Sequence, residues 1–235
     1  MRKYLLITLY VLSGMLAYAQ TSFYHPFSIG AGYGVTVAYA GEETLTSSNA
    51  FNFNINYHIT PFTAVSMEGQ VGQLSGGDAM NDTFSKQYLN SYNALLLHAD
   101  VQLGELMDFS NSQFLNGLKN VYFGTGIGIL YNKITDINLI GINNSITYST
   151  YYVKSSNLLI PLRMGYEFKI FNRRDEPQVR FDINYSFNTA FGEGLDGYYN
   201  PAGASVKFYS YFSLGLKYGF GNPHAYRKAV YYSAF

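Results

Sequence analysis

His98 and Asp100 stand two residues apart, and Ser66 and Glu68 repeat that spacing in the preceding segment. In an extended chain, residues i and i+2 point to the same face. If the two segments are neighbouring strands, an imidazole, a carboxylate and either a hydroxyl or a second carboxylate meet in one place. That is the residue set of a hydrolase triad. The same alternation places a wider polar set on one face of several segments: Glu68, Gln70, His98, Asp100, Arg163, Glu167, Lys169, Arg180, Asp182, Lys207 and Lys217. Such a set could line a pore or a proton path. It could equally fill a narrow interior as mutually paired charges. Both signs are present, and buried charges persist when paired, so the pairing role is the expected one.

The remaining chemical signals are weaker. Gly124-x-Gly126-x-Gly128 has the look of a phosphate loop, but it sits within an alternating segment with no helix after it. Gly30, Gly32 and Gly34 repeat that pattern, and small residues on an inner face leave room for large partners. The four histidines, at 25, 58, 98 and 224, are too far apart to suggest a metal site. Glu42, Glu43, Asp78, Asp82 and Asp196 lie in connecting segments, where they could hold divalent cations but are ordinarily just solvated. With no cysteine, thiol and disulfide chemistry are excluded. No catalytic, cofactor-binding or metal residue is therefore assigned.

The elements that must carry these side chains are strands. Phe181, Ile183, Tyr185 and Phe187 alternate with Arg180, Asp182, Asn184 and Ser186. Phe51, Phe53, Ile55, Tyr57 and Ile59 alternate with Asn52, Asn54, Asn56, His58 and Thr60. Eight such segments are predicted, at 27–40, 50–60, 64–74, 92–103, 120–133, 157–170, 179–191 and 206–220. Each has one continuous apolar face and one small or polar face. Charged residues make up only 13% of the chain and aromatics 18%, with 24 Tyr, 18 Phe and no Trp. A soluble domain carries about twice that charged fraction. No segment after the first 19 residues approaches the roughly 20 apolar residues of a membrane helix. Strands with a lipid-facing side need every backbone group paired between strands, which requires a closed barrel. The fold class expected is all-β: a closed antiparallel transmembrane barrel of eight strands over 27–220. Segment 137–152, with Asn143-Asn144 at its centre, would make ten strands if it lay in the wall. It follows the fifth segment directly, which favours an outward projection and a count of eight.

The connections set the expected topology. Those after the first, third, fifth and seventh segments are long, and those after the second and sixth are short. The stretch 104–119 breaks the pattern; Leu106, Phe109, Phe114, Leu115 and Leu118 suggest one or two amphipathic turns there. In outer-membrane barrels short turns face the periplasm and long loops face outside. Both termini would then be periplasmic, as a lead at 20–26 and a tail at 221–235. Residues 1–19 read as a cleaved leader, with Arg2 and Lys3, an apolar core, and Ala17-Tyr18-Ala19 as cleavage site. Without those two cations the balance is slightly acidic, which gives no case for nucleic acid.

The leader, the alternating segments and the final aromatic strand at 208–220 resemble small OmpA/OmpX-type outer-membrane barrels. The abundance of Tyr and Asn, and segments such as Leu158-Leu159-Ile160-Pro161-Leu162-Arg163-Met164-Gly165-Tyr166-Glu167-Phe168, are similar to barrels of the Bacteroidetes group. The resemblance implies an outer-membrane location, contact with lipid and lipopolysaccharide, and Phe220 as the terminal aromatic used in assembly. No peptidoglycan-binding domain follows the last strand, so a cell-wall tether is not expected. The function expected is structural, surface-interacting or accessory to other outer-membrane proteins, without catalysis or cofactor. A narrow porin-like channel is the alternative, and a lipid A-modifying barrel enzyme a more distant one. A last expectation concerns the seam: Tyr209 and Tyr211 should face inward and lay their rings over Gly30, Gly32 and Gly34.

Overall fold

The computed structural model describes residues 22–41, 43–82, 86–109, 112–138, 152–198, 205–228 and 230. The leader, Glu42 and most of segment 137–152 lie outside the described residues. Ten strands follow in chain order: β1 (Ser22–Tyr24), β2 (Phe27–Tyr39), β3 (Ser47–Thr60), β4 (Thr63–Gly76), β5 (Tyr88–Gln102), β6 (Val121–Ile137), β7 (Lys154–Phe171), β8 (Pro177–Gly192), β9 (Ser205–Phe220) and β10 (His224–Tyr226). Two short helices, α1 (Leu103–Leu106) and α2 (Gln113–Leu118), join β5 to β6. They are the two amphipathic turns expected there.

Strands β2 to β9 form a closed antiparallel barrel of eight, each paired with its sequence neighbour. Closure is made by β2 and β9, in register from Phe27 opposite Phe220 to Tyr39 opposite Phe208. Closure leaves no edge strand in the barrel, so the backbone groups of the wall pair between strands instead of with water. The strands run longer at the end away from the termini than their alternation indicates: β5 and β6 pair as far as Tyr88 and Ile137. Ser91, Asn90 and Leu89 alternate poorly, so this extension rests on backbone pairing, not on a greasy face.

The outer wall is apolar. Phe51, Phe53, Ile55, Leu95, Leu97, Leu162 and Leu216 all stand exposed on it. Rings gather at both rims. Phe27 lies 5.3 Å from Tyr57 and 6.0 Å from Phe220 at one end, and Phe187 lies 5.4 Å from Phe208 at the other. At a rise of ~3.3 Å per residue and a tilt of about 40°, the thirteen residues of β2 span roughly 30 Å between these rims, about the thickness of a hydrocarbon layer.

The inner face is filled from end to end. Below, a mainly aromatic cap of Tyr24, Phe62, Phe109 and Tyr226, with Val230 packed among them, closes the barrel. Strands β1 and β10 pair to form part of this cap. They lie in segments read from sequence as a plain lead and tail, because three-residue strands carry no period. Charged side chains occupy the middle. Above them sits an apolar plug that includes Leu74, Tyr92, Leu96, Leu130, Leu159, Leu195, Tyr209 and Tyr211.

Inward glycines make this filling possible. A Cβ at Gly126 would fall 2.6 Å from the His98 Cβ, and one at Gly165 would fall 2.5 Å from the Tyr122 ring. A Cβ at Gly124 would run into the Asp100 carboxylate. The seam differs from expectation. Tyr209 and Tyr211 do face inward, fully buried. Their register partners on β2 are Ala38 and Thr36, so the rings sit above the glycines. The space over Gly30 and Gly32 is taken by Asn54, Lys217 and Asn52 instead. Tyr211 stands two residues beyond Gly34 along the seam and Tyr209 four.

Candidate functional site

The candidate site is the charge network inside the barrel, and it has two tiers. In the tier near the cap, Glu167 on β7 is central. Its carboxylate lies 3.4 Å from Arg180 Nε and 3.3 Å from Lys217 Nζ. It also accepts a hydrogen bond from Gln102 Nε2 at 3.2 Å. Lys217 reaches Asp182 at 3.4 Å. Glu167 pairs across the sheet with Asp182, and Lys169 with Arg180, so Glu167 meets Arg180 on the diagonal. Lys169 turns down toward the cap. It donates to Gln102 Oε1 at 2.6 Å and Asn120 Oδ1 at 3.1 Å, and stands 4.2 Å above the centre of the Phe62 ring. Its long stem crosses an apolar ring while its head finds acceptors.

The second tier is built around Arg163. Nη1 donates to Glu68 Oε2 at 3.2 Å, and Nε lies 3.3 Å from Asp100 Oδ1. His98 sits between the same two carboxylates, with Nε2 3.5 Å from Glu68 and Nδ1 3.2 Å from Asp100. Gln70 Nε2 donates to the other Glu68 oxygen at 2.7 Å. Across both tiers the cations Arg163, Lys169, Arg180 and Lys217 are matched by the anions Glu68, Asp100, Glu167 and Asp182. Charges this deep require such matching, because desolvating an unpaired one costs several kcal/mol.

This geometry decides the fate of the sequence motif. Ser66 is the cross-strand partner of His98, as a triad would need. Yet both ring nitrogens of His98 face carboxylates, leaving neither for a hydroxyl. A triad histidine must hold a carboxylate on one nitrogen and the nucleophile on the other. The constellation is an ion cluster, not a triad.

Parity places Lys207 with this network, and the structure separates it. It sits at the mouth opposite the cap, beyond the tyrosine plug, where it pairs with Asp196. Asp196 is correspondingly buried, not a solvated loop carboxylate. The loop after β8 folds into the mouth, with Leu195 and Tyr198 in the plug. The Tyr198 hydroxyl lies 2.6 Å from the Asn138 carbonyl. Asp82 is also spoken for. It accepts from Thr44 Oγ1 at 2.5 Å and from the Asp78 amide at 3.0 Å, and the Thr44 bond holds its carboxyl below the ordinary range. Asp78 in turn accepts from Asn81 and the Met80 amide, with the same effect. Among the described residues no group of three or more His, Asp or Glu is arranged to hold a metal ion.

Several network members were missed as such. Ser28 and His58 bond at 2.9 Å, and Asn56 donates to Ser28 Oγ and to Asn54. Tyr122 donates to Asn184 at 3.1 Å. Asn90 donates to Asn132, which bonds Asn157. Their signal is the same alternation that marks the charges, since they occupy the inward positions of the same strands.

No protein-family model matches the chain, and no curated protein matches it. Solved structures similar to it are small barrels. Neisserial surface protein A is 12% identical, with a TM-score of 0.49, over 83% of this chain and 97% of that one. Ail, the attachment invasion locus protein of Yersinia pestis, is 15% identical, with a TM-score of 0.42, over the same shares. The outer membrane protein OprG from Pseudomonas aeruginosa is 13% identical, with a TM-score of 0.40, over 85% and 98%.

Proposed function

We propose that this chain is an integral outer-membrane barrel that does not conduct. Its role is structural, surface-interacting or accessory to other outer-membrane proteins, and it uses no cofactor and catalyses nothing. Its termini face the periplasm. Its partners are membrane lipid, lipopolysaccharide and proteins met through the outward loops. The observation that carries this reading is the sealed interior: a continuous apolar belt outside, and an aromatic cap, a charge network and an apolar plug stacked inside. A permeating ion would have to displace all three layers. An eight-stranded barrel has just enough interior for its own side chains.

Planar-bilayer recording of the purified protein is the direct test. The expected trace has no discrete conductance steps. Regular steps of fixed size would favour a narrow channel and overturn the reading. Mass spectrometry of lipid A from vesicles with and without the protein should show one acyl pattern. A pattern that changes, and reverts in His98→Ala, would make the protein an enzyme. Native purification in mild detergent then asks which outer-membrane proteins accompany it.

A further inference from the structure

Two large apolar side chains outside the barrel wall have no place in the sealed interior. Leu106 is 75% exposed and Phe114 is 74% exposed, more than the lipid-facing Phe53 at 62%. They lie on α1 and α2, the single long connection at the end where the chain termini sit. Such a connection in water would ordinarily turn apolar groups inward. Here Phe109 and Leu115 do turn to the cap, but Leu106 and Phe114 stay outside while the charged Glu105 and Lys119 are drawn in. Glu105 accepts from Thr60 at 2.6 Å and from the Tyr226 hydroxyl at 2.9 Å. Lys119 donates to Asn116 and to the Val230 carbonyl. Lys228 donates to the carbonyls of Gly104 and Glu105 at the end of α1. Asp108 is the exposed charge of this connection.

The position of α2 is fixed by Tyr166. That side chain stands on the outer face of β7, between exposed Met164 and Phe168. Its hydroxyl donates to the Gly117 carbonyl at 2.8 Å, and its ring lies 4.5 Å from Phe168. Hence α2 hangs beside the wall, not only beneath the lumen. Gly117 and Phe114 are three residues apart and share a side of the helix. Leu115 faces the other way, against the cap. Phe114 therefore extends the lipid-facing belt past the last residue of the strands.

Resting on the barrel reading above, we propose that α1 and α2 form a foot that enters the periplasmic leaflet of the membrane, with Leu106 and Phe114 set among the phospholipid chains just below the headgroups. The occupant of this surface is phospholipid, because the surface is continuous with the belt through Tyr166, and of its neighbouring charges Glu105, Lys119 and Lys228 are bonded inward while only Asp108 and Arg227 stay exposed. Short amphipathic segments lie in the interface plane for the same reason.

The chain has no tryptophan, so a single substitution reports its own site without background. Phe114→Trp and Leu106→Trp are to be made separately in the full chain and folded into phosphatidylcholine vesicles. Phe53→Trp serves as the belt reference. Lipids brominated near the carbonyl end of the acyl chain quench a tryptophan at that depth. The expected result is blue-shifted emission and strong quenching for both foot variants, as for Phe53→Trp with bromines placed deeper. If Phe53→Trp is quenched while both foot variants emit like tryptophan in water, the foot is refuted and the barrel reading stands. If Phe53→Trp is itself unquenched in heat-modifiable, folded protein, the barrel reading falls and takes the foot with it.

Discussion

Replacing Glu167 by glutamine keeps the shape of the side chain and removes one negative charge from the tier nearest the cap. Arg180 is the residue most affected. It is fully buried, and Glu167 at 3.4 Å is its ion-pair partner among the described residues. Lys217 keeps Asp182 at 3.4 Å, and Lys169 keeps its neutral acceptors. In Glu167→Gln, three cations therefore face one carboxylate, and the guanidinium has no anion beside it. Breaking a buried pair from one side costs about 3–5 kcal/mol, most of it the desolvation of the charge left behind. At the lower figure the folded-to-unfolded ratio falls by roughly two orders of magnitude.

Urea titration of the protein in vesicles, read by the mobility shift of folded barrel on unheated gels, measures this loss. The double mutant supplies the sharper test. In Glu167→Gln, adding Arg180→Met removes the stranded charge, so the pair should recover at least about 2 kcal/mol relative to additivity. Asp182→Asn should cost less than Glu167→Gln, about 1–3 kcal/mol, because both of the tier's direct carboxylate–cation contacts at Glu167 survive it. A Glu167→Gln loss below about 0.5 kcal/mol, with no coupling to Arg180, would refute the reasoning. It would mean that water screens the lumen as it screens a surface pair.

Three further outcomes are expected. Gly126→Val puts a branched side chain where a Cβ alone would fall 2.6 Å from the His98 Cβ. It should cost at least about 1–3 kcal/mol by overpacking or abolish the heat-modifiable band, whereas Gly69→Ala, with open space around it, should do neither. Asp196→Asn removes the partner of Lys207 and should loosen the loop at the mouth, read as faster protease cleavage near 195 with the barrel intact. The cap should show a stability maximum near pH 10 in local hydrogen exchange. Burial lowers Lys119 to about 8 from 10.5, so stability rises with pH between those values as the unfolded chain alone stays protonated. Burial, with the Glu105 contact, raises Tyr226 to about 12 from 10.0, so stability is lost again across that higher window. Protection factors in β1 and β10, corrected for the base-catalysed intrinsic rate, that fall or rise monotonically from pH 8 to 12 would contradict this pairing of shifts.

The wall of the barrel was legible because alternation is a local signal. Each of the eight strands states its two faces within about ten residues, and the inward charges came with them. What the period cannot carry is stagger and distance along the axis. Tyr209, Tyr211 and Lys207 were correctly turned inward, but the sequence does not say that the tyrosines stand above Gly34 or that Lys207 lies beyond them at the mouth. Both depend on the register of β9 against β2, which sixteen residues of similar alternation leave free to slide in steps of two. The cap was illegible for a different reason. Ser22–Tyr24 meets His224–Tyr226 across two hundred residues of chain, and three-residue strands have no pattern to read. Asp196 was misjudged because loop composition says nothing of a loop folded back into the mouth.

The way the interior is filled bears on where a function can reside. A barrel that conducts or binds within its lumen must keep some polar groups free for the passing molecule. In this one three of the four tier carboxylates are each shared by two cationic groups: Glu68 and Asp100 by Arg163 and His98, Glu167 by Arg180 and Lys217. Asp182 serves Lys217 and also the Tyr122 hydroxyl. Opening such a cluster to a ligand means breaking several pairs at once, since no member can leave without stranding its partners. The tiers therefore act as a brace that holds strands β4 through β9 at fixed spacing. On the function proposed above, contact with other molecules falls to the two ends: the loops at the mouth on one side, and on the other the cap with its proposed foot of Leu106 and Phe114. Substitutions in the tiers should accordingly change how well the barrel folds, and substitutions at the ends should change what it meets.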